Sequence, residues 1–301
     1  MMTSEVEKIT SALPTSGLHL GDVVWCSLQD VRVTRQDLHD TFVRNGLDPN
    51  VVKTTSSPEG ALGKAISGWR EREQGDRIFL RRSEKRSSDC LIVRQEGRVF
   101  HTMARVWIRD AQGVVHQVPQ IERSVTHADH RSDAIFHELA LGFAEHFSFA
   151  DSSEVGATVV DTILNSLKGI RLKNQGHVYW IPGTRAREIR ALKDIVDQLG
   201  QSFMSILPIH ESKEARASLQ VAATQSFEQE LKAAVAELTE FTASETIRVS
   251  TLERRLEQYG QLREKVELYA DILATKKDQL LAGLEGARQT ARNLIAKQEV
   301  A

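Results

Sequence analysis

The sequence predicts an α+β fold: an antiparallel β-meander with covering helices, followed by a long C-terminal helical hairpin or coiled coil. Three observations predict it. Apolar residues alternate with a period of two through much of 77–125, between helical periodicity on either side. The last ninety residues contain no proline, whereas the preceding ones contain six. Within that proline-free tail, 15 acidic and 13 basic residues are interspersed around a heptad pattern.

The elements follow in order. Residues 1–16 are polar, and Leu18 to Leu28 reads as a strand around Val23, Val24 and Trp25. Thr34 looks like an N-cap, with Leu38, Phe42 and Val43 on one helical face and Asn45-Gly46 as the stop. A loop at 53–60 leads to a helix over Ala61 to Glu71, carrying Leu62, Ile66 and Trp69. Ile78 and Leu80 then alternate with Phe79 and Arg81; Cys90 to Val93 and Val99 to Ile108 are further strands. Turn residues at 95–97 and 110–113 punctuate the meander, and Val114 to Val118 is expected to return. A helix follows over Ser132 to Phe147. Ser152 or Ser153 is expected to cap another with Val155, Val159, Ile163 and Leu167 inward. A strand at 178–181, a helix capped by Thr184 and stopped by Gly200, and a strand at 203–209 complete the middle region.

The tail reads as two helices. The first runs from Ser212 to Phe241 with Leu219, Ala223, Phe227, Leu231, Val235 and Leu238 inward. Ser244 caps the second, expected to run unbroken to about Ala296. Twelve of the fourteen positions in its heptad seam, from Val249 to Leu294, are apolar, with Arg263 and Lys277 the exceptions. Such a helix outruns the first, so Leu273, Leu280, Leu284 and Leu294 are expected to pair with a second copy as oligomerisation residues. Three regions result: an α+β domain at 1–150, a helix–strand–helix–strand subdomain at 151–210, and the helical hairpin at 211–301.

Charge sharpens the functional reading. The formal net charge is −2, so no global field points to nucleic acid or membrane. Residues 70–109 nevertheless hold eleven basic residues against six acidic ones, and ten of the eleven are arginine. Arg77, Arg81, Arg82, Lys85, Arg86, Arg94, Arg98 and Arg105 form a candidate nucleic-acid-binding set on β-hairpins. Guanidinium forks suit phosphates, and Phe100 and Trp107 supply rings for bases. The plain alternative is a solvated meander, or a surface for an acidic protein partner.

Catalytic and cofactor signatures are missing. There is no GxGxxG, no GxxxxGK[ST] and no GxSxG elbow. His127, His130 and His137, with Asp129 and Asp133 between them, have the residue types of a metal cluster. They stand at a strand-to-helix turn, where such residues also cap, and no HExxH or CxxC accompanies them. No metal, cofactor or catalytic residue is assigned. Cys26 and Cys90 lie in strand-like apolar runs and read as reduced core thiols. With no signal-peptide core and no uninterrupted apolar stretch of about 18 residues, the expected location is the cytoplasm.

The run Gly176-His-Val-Tyr-Trp-Ile-Pro182, the helix through Leu192 and Val196, Phe203 to Ile209, and His210-Glu-Ser before a long charged helix carry a resemblance. The chain resembles an uncharacterised family of bacterial, phage and mobile-element proteins with a mixed α/β N-terminal part and a long helical C-terminal part. That resemblance implies an accessory role in phage or mobile-element biology, including defence, and no activity, cofactor or site residue. The order of meander then helix also resembles the core of ring-forming strand-annealing proteins, at the level of fold alone. The leading expectation is a non-enzymatic, oligomerising protein that binds DNA or RNA through the arginine hairpins. A coiled-coil scaffold contacting a protein partner is the alternative, and a metal-dependent hydrolase using the histidines is the third reading.

Overall fold

The computed structural model describes residues 18–72, 78–82, 89–96, 98–109, 120–126, 130–172, 177–243 and 248–300. In chain order the elements are β1 (His19–Ser27), β2 (Arg32–Thr34), α1 (Arg35–Arg44), α2 (Pro58–Arg72), β3 (Ile78–Arg82), β4 (Asp89–Glu96), β5 (Val99–Arg109) and β6 (Gln120–Val125). They continue with α3 (His130–Ser148), β7 (Phe149–Asp151), α4 (Ser152–Asp161), β8 (Ile170–Arg171), β9 (Val178–Pro182) and α5 (Ala186–Val196). The chain ends with β10 (Phe203–His210), α6 (Lys213–Ala243), α7 (Val249–Leu268) and α8 (Lys276–Val300). The α+β class is as the sequence predicts, with antiparallel sheets preceding a long helical region.

The chain divides into two compact units. The first holds the described residues of 18–29, 45–48 and 156–300; the second holds those of 30–44 and 49–155. The expected three-part division therefore regroups, because β1 pairs with strands far along the sequence. It lies between β10 and β9, antiparallel to both, with Val23 opposite Leu207 and Trp180.

In the second unit, β3, β4, β5 and β6 form a four-stranded antiparallel meander in sequence order. The returning strand is Gln120–Val125, whereas the expected turn at 110–113 and strand at 114–118 lie outside the described residues. One sheet face contributes Leu80, Cys90, Ile92, Ala104, Val106 and Ile121 to a core with α2 and α3. Trp69 of α2 and Ile135, Leu139 and Phe143 of α3 fill it. Gly142 lets the two helices approach: a Cβ there would stand 3.3 Å from the Ala65 side chain. Thr34 caps α1 as expected, its hydroxyl accepting from the Asp37 amide at 3.0 Å. Val43, however, is exposed, because the buried face follows Leu38 and Phe42. The cap of α4 is Asp151, not Ser152 or Ser153: its carboxylate accepts from the Glu154 amide at 2.9 Å. Ser152 is used elsewhere, accepting from the Val31 amide. Arg35 is buried and forks onto both oxygens of Glu154 at 2.9 and 2.8 Å.

In the first unit, the sheet order is β10-β1-β9-β8. Tyr179 and Ile181 point to one face and Trp180 to the other, following the pleat. All three are buried, as expected of a core strand. The Tyr179 face meets α5, whose Ile189, Leu192, Ile195 and Val196 are buried. Thr184 does not cap α5; residues Gly183–Arg185 form a 3-10 turn, and Arg185 stands at the N-cap with no side-chain cap bond. The Trp180 face meets the C-terminal helices. Its indole lies edge-on to Tyr269, with ring centroids 5.3 Å apart, and Tyr269 makes the same contact with Phe227. Gly21 of β1 makes room for that indole, since a Cβ there would come within 2.6 Å of it and 2.3 Å of the Ile181 carbonyl oxygen.

The expected unbroken helix after 245 is divided. α7 stops at Leu268, a helical turn spans Ala270–Leu273, and Ala274 sits at φ +49° before α8 begins. The chain reverses there, so α7 and α8 are antiparallel: Tyr259 shares a core with Ala287 and Ala291. α6 packs along α8 and meets α7 where the Tyr259 hydroxyl donates to the Ala234 carbonyl, with Ala234 and Leu238 in the same cluster. The result is a three-helix bundle. Val235 is exposed, not inward, because the α6 stripe runs through Ala234, one residue earlier and about 100° round the helix.

Candidate functional site

The eight predicted nucleic-acid-binding residues do not all converge. Arg77, Lys85 and Arg86 lie outside the described residues. Arg81 and Arg82 are successive positions of β3. Arg81 is in register with Leu91, Leu91 with Arg105, and Arg105 with Ser124. Arg82 belongs to the row of Cys90 and Val106, the row that builds the core. Arg94 follows Ile92 by two positions, on the opposite side of the sheet from Arg105, and Arg98 occupies the β4–β5 turn.

The face opposite α2 and α3 thus carries Leu91, Arg105 and Ser124 in one row, with which Arg81 is in register, and Trp107 and Glu122 in the next. Along β5, buried Ala104 and Val106 alternate with exposed Arg105 and half-buried Trp107. At the β4–β5 hairpin end, Phe100 is 59% exposed and Val99 56%. Arg94, Arg98 and His101 are exposed beside them. An aromatic-bearing, cationic hairpin end continues into a face that carries arginine and tryptophan.

His130 and His137 are exposed on α3, and Asp133 accepts an ion pair from Arg123 at 2.6 Å. His127 and Asp129 lie outside the described residues. Among the described residues, no group of three or more His, Cys, Asp or Glu side chains is placed to hold a metal ion. Cys26 and Cys90 are free thiols; burial pushes the Cys26 thiol above its ordinary range.

The four predicted oligomerisation leucines are used within the chain. Leu273, Leu280 and Leu284 are buried in the core with Trp180, Phe227 and Tyr269. Leu294 packs partly against Leu238 and Tyr259. The seam that needed a second surface finds it on the chain's own helices and sheet.

Two polar features escape a linear reading. Asp22 is completely buried on β1; His19 Nε2 lies 3.1 Å from one oxygen and the Arg190 guanidinium 3.5 Å from the other. Lys265 is buried on α7 beside a cleft in the first unit. Neither has a motif, because each depends on which faces the sheet and helices turn inward.

Among the described residues no helix is long and apolar enough to cross a membrane. No curated protein and no solved structure matches the chain. Residues 19–300 match a family of unknown function, a span that takes in both four-stranded sheets and the helical bundle. The chain belongs to the family of unknown function DUF6744.

Proposed function

We propose that this protein binds DNA or RNA, without catalysing a reaction on it, through the meander face opposite α2 and α3. The observation that carries the reading is Arg105 and Trp107 on one strand, both turned from the core, with Arg81 two strands away in the same row. Arginine forks engage phosphate oxygens, and an indole offers a sequence-tolerant surface for a base. The exposed Phe100 with Arg94, Arg98 and His101 extends this chemistry to the hairpin end. The reading needs no assembly through Leu273, Leu280 or Leu284, whose side chains are already covered. Its resemblance to phage and mobile-element proteins supports a role in that biology, in the cytoplasm, with defence as one such role.

Retention of labelled single- and double-stranded oligonucleotides over a salt series tests the reading. The wild type should bind with an affinity that falls steeply with salt. Arg105→Glu should weaken binding to every sequence and flatten the log–log salt slope by about one. Trp107→Ala, if its melting curve remains cooperative, should weaken single strands more than duplexes. Wild-type binding by both variants would overturn the assignment, and no retention of any oligonucleotide would leave the scaffold reading.

A further inference from the structure

The first unit contains a cleft of about 520 Å³ between α6, α7 and the segment that follows α4. It lies in the range of small-ligand sites. The segment is unusual in backbone as well as position. Residues Thr162–Ser166 form a π-helical turn, and Lys168 adopts a left-handed conformation at φ +57° without being glycine. Such turns and such residues recur at binding sites, because both re-aim side chains that a regular helix would point elsewhere. Here the segment brings Asn165 and Lys168 to the cleft wall. The Lys168 carbonyl is fixed by a 2.8 Å hydrogen bond from the hydroxyl of buried Tyr269.

Lys265 lines the opposite wall, with its side chain only 7% exposed. An ammonium carries three N–H donors and accepts nothing. Among the described residues its one acidic partner is Glu230, with the nearest oxygen 3.7 Å away, beyond hydrogen-bond reach. That same Glu230 oxygen already accepts from Ser226. The remaining neighbour is the Phe227 ring, 5.8 Å from the amine. A nearly buried cation with no close acceptor is costly unless something else supplies one. The cleft is where that supply can enter. Arg255, on the same wall, is committed to Glu237 and Gln258. Lys168 has no ion-pair partner among the described residues and faces the same space. Two lysines thus line one small cavity in which the only ion pair to either, among the described residues, is the long one from Lys265 to Glu230.

We propose that this cleft is a binding site for a small anion, a phosphate or carboxylate group, held between the Lys265 and Lys168 amines. The anion's oxygens complete the missing hydrogen bonds of Lys265 and relieve its repulsion by Lys168 and Arg171. Burial, with those two cations, holds the Lys265 amine below its ordinary proton affinity, although Glu230 opposes the shift. This site is independent of the meander, since every residue that lines it belongs to the first unit.

Isothermal titration of the full chain with inorganic phosphate, adenosine monophosphate and succinate tests the proposal. The three probes separate a free phosphate, a phosphate ester and a dicarboxylate. At least one should bind at millimolar concentration or tighter. Lys265→Met keeps the length and packing of the side chain and removes its donors, and should weaken that probe at least tenfold. Lys168→Asn retains a residue that tolerates the left-handed backbone and should weaken it several-fold. A wild-type chain that binds none of the three probes at millimolar concentration overturns the proposal. So does a Lys265→Met chain that binds like the wild type.

Discussion

Lys265 shows how one side chain can be expensive for a fold and useful to it. Burial lowers its proton affinity from the ordinary 10.5, with the charges of Lys168 and Arg171 acting in the same direction and Glu230 opposing them. The sign of the consequence follows from linkage. Between the lowered folded value and 10.5 the unfolded chain binds the proton and the folded chain does not, so stability rises with pH across that window. Below it, the folded state carries the buried charge. Lys265→Met should therefore be more stable than the wild type at neutral pH, by about 1 kcal/mol, since apolar replacement of a buried charge is often stabilising. The gap should narrow as pH approaches 10, which denaturant titrations at pH 7 and pH 9.5 would register. A variant less stable than wild type at pH 7 would show that the Glu230 pairing outweighs desolvation. None of this was visible in the sequence, where Lys265 is one of many charges on a helix and sits one residue before the predicted seam position Val266. Asp22 was hidden in the same way: a single acid in the strand reads as a solvent-facing residue until β9, β10 and α5 enclose it. The arginines are legible in the sequence as a set, but the side each takes depends on strand register, and that separates Arg105 from Arg94.

At the scale of elements, periodicity was the dependable signal and continuity the weak one. The inward faces of α2, α3 and α4 emerge at Leu62, Ile66, Ile135, Leu139, Val155 and Val159, as the 3.6-residue spacing predicts. Of the heptad-seam positions, Leu252, Tyr259, Val266, Leu273, Leu280, Leu284, Ala287 and Ala291 are buried. What the seam does not encode is the reversal in its middle. Residues 269–275 contain neither glycine nor proline, so no breaker announces the turn. The reversal is held by tertiary contacts: Tyr269 inserts between Trp180 and Phe227, and Ala274 accepts φ +49° and ψ −123°. That combination is one that glycine alone adopts without strain. Ala274→Gly should accordingly stabilise the first unit by about 1 kcal/mol, even though glycine is more flexible in the unfolded chain. Thermal unfolding would record it as an upward shift of the melting transition. A downward shift would mean that the residue relaxes at no cost and that only the entropy of glycine is felt.

For the whole molecule, the decisive issue is what covers the apolar tail. A continuous 50-residue helix would span roughly 75 Å at 1.5 Å per residue and leave half its seam for a second chain. The folded tail instead brings Leu280 and Leu284 onto Val266, Tyr269 and Phe227, and Ala287 and Ala291 onto Tyr259 and Leu238. The same cluster reaches Ile170 and Trp180, so the sheet of the first unit and its helical bundle share one core. These two arrangements predict opposite results for one truncation. If the seam joined separate chains, ending the protein after Ala270 would leave a folded, smaller species. In the observed packing, that truncation removes Leu273, Leu280, Leu284, Ala287 and Ala291 and strips cover from Phe227, Tyr259 and Tyr269. Each lost large apolar residue costs about 2–5 kcal/mol, and a few of them exceed the entire stability of an ordinary domain. The truncated chain should therefore lose the cooperative melting of its first unit and aggregate, as followed by calorimetry and light scattering. Leu284→Ala in the full chain should lower stability without changing the mass in solution, because its partners belong to the same chain. A truncated protein that melts cooperatively as a smaller particle would return these leucines to an interface between copies.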